Sequence, residues 1–192
     1  GEIFVLDRVT GEPLKPVSEN RVPTKGGVPE ERISPTQPFS TGMPSFRGAD
    51  LVESDMWGIT PIDQLWCRVR FREARYEGPM TPPGLTPNIA YPGFMGGMNW
   101  GGVSIDPVRG ILIANTMRVP VTVQLVPRRE AERLGVRAVE GPPGKHNIGW
   151  MVQANTPYAA RVSPFLSPLG VPCNAPPYGL ASAVDLASGQ LL

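Results

Sequence analysis

At 192 residues the chain is long enough to bury a core of its own as one domain. Its 24 prolines and 22 glycines make up about a quarter of it, yet a hydrophobic content of 41% excludes a disordered chain and fits strands joined by long, packed loops. A net charge of +1 gives no electrostatic case for a nucleic-acid partner or an anionic membrane surface, and no apolar run approaches the roughly 18 residues that would span a bilayer.

The chain opens on "GEIFVLDRVTGEPL" (1–14) and closes on the related phrase "GLASAVDLASGQLL" (179–192), with Gly1, Asp7, Gly11 and Leu14 matching Gly179, Asp185, Gly189 and Leu192. A looser copy, "GGVSIDPVRGILIAN", repeats the Asp-x-x-x-Gly spacing at Asp106 and Gly110. Each copy predicts an antiparallel hairpin. Asp takes the first turn position and accepts a backbone amide, and Gly supplies the positive φ that lets the second strand leave. These three aspartates therefore read as turn residues and not as catalytic acids. After the first hairpin, residues 15–55 read as a long loop.

A helix follows in "TPIDQLWCRVRFREARY", with Thr60 as N-cap, Pro61 in the first turn and Asp63 at the third helical position. Ile62, Leu65, Trp66 and Val69 form its apolar face, and Arg68, Arg70, Arg72 and Arg75 a solvated or ion-paired charge run. Cys67 and Cys173 fit no metal or redox motif; they read as two buried thiols, with a single disulfide closing a long loop as the alternative, which would require an oxidising compartment. Beyond the middle hairpin, Val121–Val126 alternates as a strand and "RREAERLG" (128–135) predicts a short helix ending at Gly135. Residues 136–148 read as another loop, with the lone His146 as a solvated loop residue, and "GWMVQA" (149–154) as a strand. Met95 and Met98 read as packing residues.

A repeated hairpin phrase in an all-β chain with long loops and one or two short helices points to an arc of a β-propeller, roughly two blades, cut in mid-repeat at both ends. Residues 1–192 then form one incomplete unit. An isolated arc presents unpaired blade faces, so self-association of this piece is expected.

The segments "FVLDRVTGEPL", "SPTQPFS", "DMWGITPIDQLWCRVRFREARYEGPMTPP", "YPGFMGGMNWGGVSIDPVRGILIAN" and "SPFLSPLGVPCNAPPYG" resemble the membrane-bound quinoprotein glucose dehydrogenases and the quinate/shikimate dehydrogenases related to them. The resemblance runs the length of the chain. It implies an eight-bladed propeller on the periplasmic face of the inner membrane, joined to an N-terminal membrane anchor outside these residues. It also implies pyrroloquinoline quinone (PQQ) with a divalent cation, Ca or Mg, a sugar or cyclic polyol as substrate, and ubiquinone as electron acceptor. Glucose and quinate/shikimate remain open.

By the same resemblance the general base, the quinone-contacting lysine and most cation ligands lie upstream of Gly1. The piece alone is thus expected to be inactive and to hold no cofactor, with no catalytic or metal residue of its own. Asn115, in "ILIANTMR", matches an asparagine placed against the quinone, where an amide donates to a carbonyl oxygen without adding charge. The plain alternative is a strand-end Asn satisfying its own loop backbone. Asn99 and Trp100, in "GGMNWGG", form a second candidate pair near the axis, at a position where glucose enzymes can carry an acidic residue in place of the Asn. A reading from a different class is a propeller segment that serves as a binding or assembly module without catalysis.

Overall fold

The computed structural model describes residues 1–94, 97–98, 101–138 and 149–192. The three Asp-x-x-x-Gly phrases are hairpins, and their chemistry repeats. The Asp7 carboxylate accepts the amides of Val9 and Thr10 at 2.8 and 2.9 Å, and that of Asp106 accepts Val108 and Arg109 at 3.0 and 3.1 Å. Asp185 accepts the Ser188 amide and hydroxyl at 2.6 and 2.7 Å. The Thr10 amide foremost holds Asp7 below the usual carboxylate range, and the Ser188 amide does the same for Asp185. Gly11, Gly110 and Gly189 each take a φ of 65–77°, which a side chain would strain.

Nine strands and two α-helices make up the regular structure of the described residues. β1 (Val17–Arg21) and β2 (Thr36–Ser40) pair as an antiparallel ribbon. β4 (Val103–Asp106), β5 (Ile111–Met117) and β9 (Gly179–Asp185) form one open sheet in the order β4-β5-β9. A second open sheet has the order β3-β6-β8-β7, from Asn88–Ala90, Val121–Pro127, Tyr158–Pro164 and Trp150–Met151. β5 and β9 are neighbours although residues 118–178 pass between them, and that excursion carries β6, β7, β8 and the short helix α2 (Arg128–Arg133). The architecture is the mostly β, open-sheeted arc with few short helices that the sequence predicts.

The segment 15–55, expected as bare loop, holds the β1–β2 ribbon and a 3-10 turn at Glu53–Asp55. The ribbon is half-buried to exposed apart from Ser40, so no apolar alternation marks it in the sequence. β3 and β8 were likewise not foreseen: β3 has three residues, and β8, "YAARVSP", carries only two buried side chains. Of the strand expected at 149–154 only Trp150–Met151 pairs.

The first core cluster lies under the β4–β5–β9 sheet, where Leu112, Ala114 and Val184 meet Ile3, Met43 and Phe46, with Met98 packed at its edge. This clamps the first hairpin to the last, and Lys15 adds a 2.6 Å bond from its ammonium to the Ala187 carbonyl. A second cluster joins Leu51, Met56, Ile89 and Phe165 to Cys67 and Cys173. The cysteines are bonded, with Cα atoms 5.4 Å apart and both side chains fully buried, so the expected pair of free thiols is replaced by the disulfide alternative.

α1 (Pro61–Glu73) begins where predicted. Thr60 Oγ1 accepts the Asp63 amide at 3.1 Å, and the Asp63 carboxylate accepts the Ile59 amide at 3.1 Å. Thr60→Ala is expected to cost about 1 kcal/mol, the usual worth of an N-cap, read as a lower urea midpoint with unchanged slope. The face is inverted, however. Ile62, Leu65, Trp66 and Val69 are exposed, while Asp63 and Cys67 turn inward. The physical reason is that a covalent bond at Cys67 and the buried cap at Asp63 fix the inner side of the helix, leaving its apolar stripe outside. The arginines are ion-paired as expected: Arg68 and Arg72 with Glu53, Arg70 with Glu73, and Arg75 with Glu77. Arg75 also ties the β1–β2 excursion down through the Lys25 carbonyl at 2.7 Å.

Candidate functional site

β5 has two faces. Leu112, Ala114 and Thr116 point into the core, and Ile113, Asn115 and Met117 point out, as strand alternation requires. Asn115 lies opposite Ala181, and Ile113 opposite both Ser104 and Ala183, so small residues flank the amide on its own face of the sheet. Gly97 bounds one end, exchanging backbone bonds of 2.8 and 3.1 Å with Met117. Gly97 and Gly102 both have positive φ, and a Cβ at Gly101 or Gly102 would meet nothing within 4 Å.

The result is a hollow of about 230 Å³ lined by Gly97, Gly101, Gly102, Ser104, Ile113, Asn115 and Met117. It has an apolar side chain on either side of one amide, a glycine-rich wall, and, among the described residues, no charged group in its lining. Asn115 makes no side-chain hydrogen bond among the described residues. Thr116, its neighbour on the buried face, has a hydroxyl with no partner among the described residues. Asn99 and Trp100 lie outside the described residues, as do His146 and Met95. Of the sequence candidates, Asn115 alone can therefore be placed.

The residues that flank Asn115 across the strand pairing, Ala181 among them, escape a motif search. Their signal is the run of small residues in "GLASA" facing the alternating Ile-x-Asn-x-Met of β5, which becomes meaningful only once β5 and β9 are known to pair. Among the described residues no three His, Cys, Asp or Glu side chains converge as they would around a metal ion. The hollow fits a flat group with a carbonyl edge. A planar ring system can lie along the glycine and alanine surface between Ile113 and Met117, and the free Asn115 amide can donate to a ring oxygen. It offers no partner for carboxylates on such a ring.

Comparison with known proteins is consistent along the whole length. The model of the PQQ glucose/ethanol/alcohol dehydrogenase β-propeller domain matches residues 1–192. A glycerol dehydrogenase large subunit of Gluconobacter oxydans (strain 621H) is 48% identical over 99% of this chain and 26% of its own length. A probable quinate dehydrogenase (quinone) of Xanthomonas campestris pv. juglandis is 48% identical over 100% of this chain and 24% of its own. A quinoprotein glucose dehydrogenase of Escherichia coli (strain K12) is 42% identical over 100% and 24%. The chain thus spans about a quarter of the length of the relatives it matches. No solved structure matches it.

Proposed function

Because the chain belongs to the family of PQQ glucose/ethanol/alcohol dehydrogenase β-propeller domains, we propose that residues 1–192 are an arc of a larger propeller and supply one wall of a PQQ pocket. The protein carrying them oxidises an alcohol group of a sugar or polyol and passes the electrons to a quinone. The named activities of the relatives support this reading, since glycerol, quinate and glucose are all polyhydroxylated. Ubiquinone as acceptor, a Ca or Mg ion beside the cofactor, and a periplasmic, membrane-attached setting belong to the same proposal.

The observation that supports the site is the amide of Asn115, unpartnered among the described residues, in a glycine-lined hollow. Bound PQQ supplies an electrophilic quinone carbonyl for alcohol oxidation. Asn115 would donate its amide N–H to a quinone oxygen, where such a donor favours the building of negative charge. Ile113 and Met117 would flank the ring on either side. The backbone of Gly97, Gly101 and Gly102 leaves room for a ring to approach. Among the described residues the hollow is lined by no carboxylate, lysine or histidine, so on this reading the base that takes the alcohol proton and the partners for the cofactor's own carboxylates come from outside this lining. The same reading expects the piece alone to be catalytically inert.

The test is a fluorescence titration of PQQ in the presence of Ca²⁺, run on the full-length protein and on residues 1–192. Tight binding is expected for the former only. Asn115→Ala in the full-length protein is expected to weaken binding about 3- to 10-fold, the worth of one neutral hydrogen bond, with no loss of thermal stability because the side chain is exposed and unpaired. No PQQ binding by the full-length protein would leave the propeller as a binding or assembly module.

A further inference from the structure

The paired strands beside Asn115 are held at one end by a segment that otherwise belongs to the disulfide core. That segment runs from Cys173 to Tyr178 and leads directly into β9. The Tyr178 carbonyl accepts the Arg118 amide at 2.7 Å, which carries the β5–β9 pairing one step past Met117. The Arg118 carbonyl in turn accepts Nδ2 of Asn174 at 2.8 Å. Among the described residues this is the one side-chain hydrogen bond from the segment to the end of β5. Cys173 and Asn174 are fixed from the other side as well. The Trp57 amide donates to the Cys173 carbonyl at 2.8 Å, the Cys173 amide donates to the Phe165 carbonyl at 3.0 Å, and Met56 pairs with Asn174 in an isolated bridge. The bond to Cys67 ties the same segment to α1.

Stability gives little account of the Asn174 amide. The residue is 4% exposed, and its Oδ1 is buried with no hydrogen-bond partner among the described residues. The gain from one satisfied donor is no larger than the cost of one stranded acceptor, so a leucine of similar size would hold this core equally well. What the amide does supply is placement. It holds the Arg118 carbonyl, and with it the chain leaving β5, against a segment that the disulfide keeps from shifting. Met117 is the adjoining residue, and its backbone exchanges two bonds with Gly97 at the end of the hollow. Because Asn174 is buried, these contacts are internal to residues 1–192 and do not depend on what the remainder of the protein covers.

We infer that Asn174 is a positioning residue for the hollow. Through Arg118 it fixes the end of β5, and so sets where Met117 and Gly97 stand beside Asn115. The inference rests on the reading of the hollow as a wall of the PQQ pocket, and it deepens that reading. Asn174 does not line the hollow, yet the affinity of the hollow for a planar cofactor depends on it.

The experiment compares the full-length protein with two variants. Asn174→Leu removes the donor and the stranded acceptor together, and Asn174→Asp keeps the shape. Three quantities are read: hydrogen exchange and urea unfolding of the cofactor-free protein, and PQQ affinity with Ca²⁺ by fluorescence. Asn174→Leu is expected to speed exchange at Gly97 and Met117 about tenfold, leaving Leu112, near the start of β5, unchanged. Its urea midpoint should stay close to wild type, while PQQ binding weakens about 3- to 10-fold. In Asn174→Asp the ionised carboxylate has no proton to donate. Its affinity relative to wild type is therefore low at high pH and recovers as the pH falls and the carboxyl becomes a donor. Unchanged exchange at Gly97 and Met117 would overturn the inference, and so would faster exchange with undiminished PQQ affinity. A loss of affinity matched by a lower urea midpoint, with no recovery in Asn174→Asp, would overturn it too and leave Asn174 a stabilising residue only. In each of these results the wild type binds PQQ. A wild type that binds none would overturn the pocket reading itself, and the inference with it.

Discussion

Replacing Cys67 and Cys173 together by serine is expected to lower the stability of the protein by roughly 4–5 kcal/mol, the entropy that a cross-link of this span removes from the unfolded chain. The bond closes a sequence separation of 106 residues, and both sulfurs are fully buried beside Met56, Ile89 and Phe165. Two serine hydroxyls in that apolar setting would lose water without gaining partners, which adds to the loss. The measurement is denaturant unfolding of the wild type with and without reductant, beside the double variant. Oxidised wild type should unfold at the highest denaturant, reduced wild type lower, and the variant lowest. A wild type indifferent to reductant would show that the pair is not bonded. The same bond holds the inner side of α1, so its loss should also release the exposed stripe from its fixed orientation.

The second large effect concerns the hollow. Ala181→Phe should reduce PQQ affinity of the full-length protein by about 100-fold or more, since a ring beside Asn115 occupies the surface on which the cofactor would lie, and a clash of that kind costs roughly 3 kcal/mol. Ala181 is exposed and directly opposite Asn115 in the β5–β9 register, so the substitution leaves the core untouched. Thermal unfolding of the cofactor-free protein should therefore be unchanged. Comparison with Asn115→Ala separates the two contributions: loss of one donor weakens binding modestly, and loss of the surface abolishes it. Full binding by Ala181→Phe would place the pocket away from this face.

Strand alternation and turn chemistry were legible because they are local. Asp7, Asp106 and Asp185 each accept amides two or three residues ahead, so the three hairpins follow from the Asp-x-x-x-Gly spacing with no reference to the rest of the chain. The same holds for Thr60, whose hydroxyl caps the amide of Asp63. Asn115 was legible as a residue but not as a site. Its neighbour Ala181 comes from a strand on the far side of the residue 118–178 excursion, and only pairing in space makes the two one surface.

For α1 local reading ran the wrong way. The apolar period located the helix correctly and assigned the buried face incorrectly, because burial is decided by what the helix is tied to. Composition and spacing by themselves determined the hairpins, the helix starts and the all-β class, all of which depend on interactions within a few residues. Only the tertiary structure decided that Cys67 meets Cys173, that Ile62 and Val69 face outward, and that the Asn174 amide meets the Arg118 carbonyl. Each of these turns on contacts between residues far apart in the chain, which are set by the cooperative packing of the core as a whole.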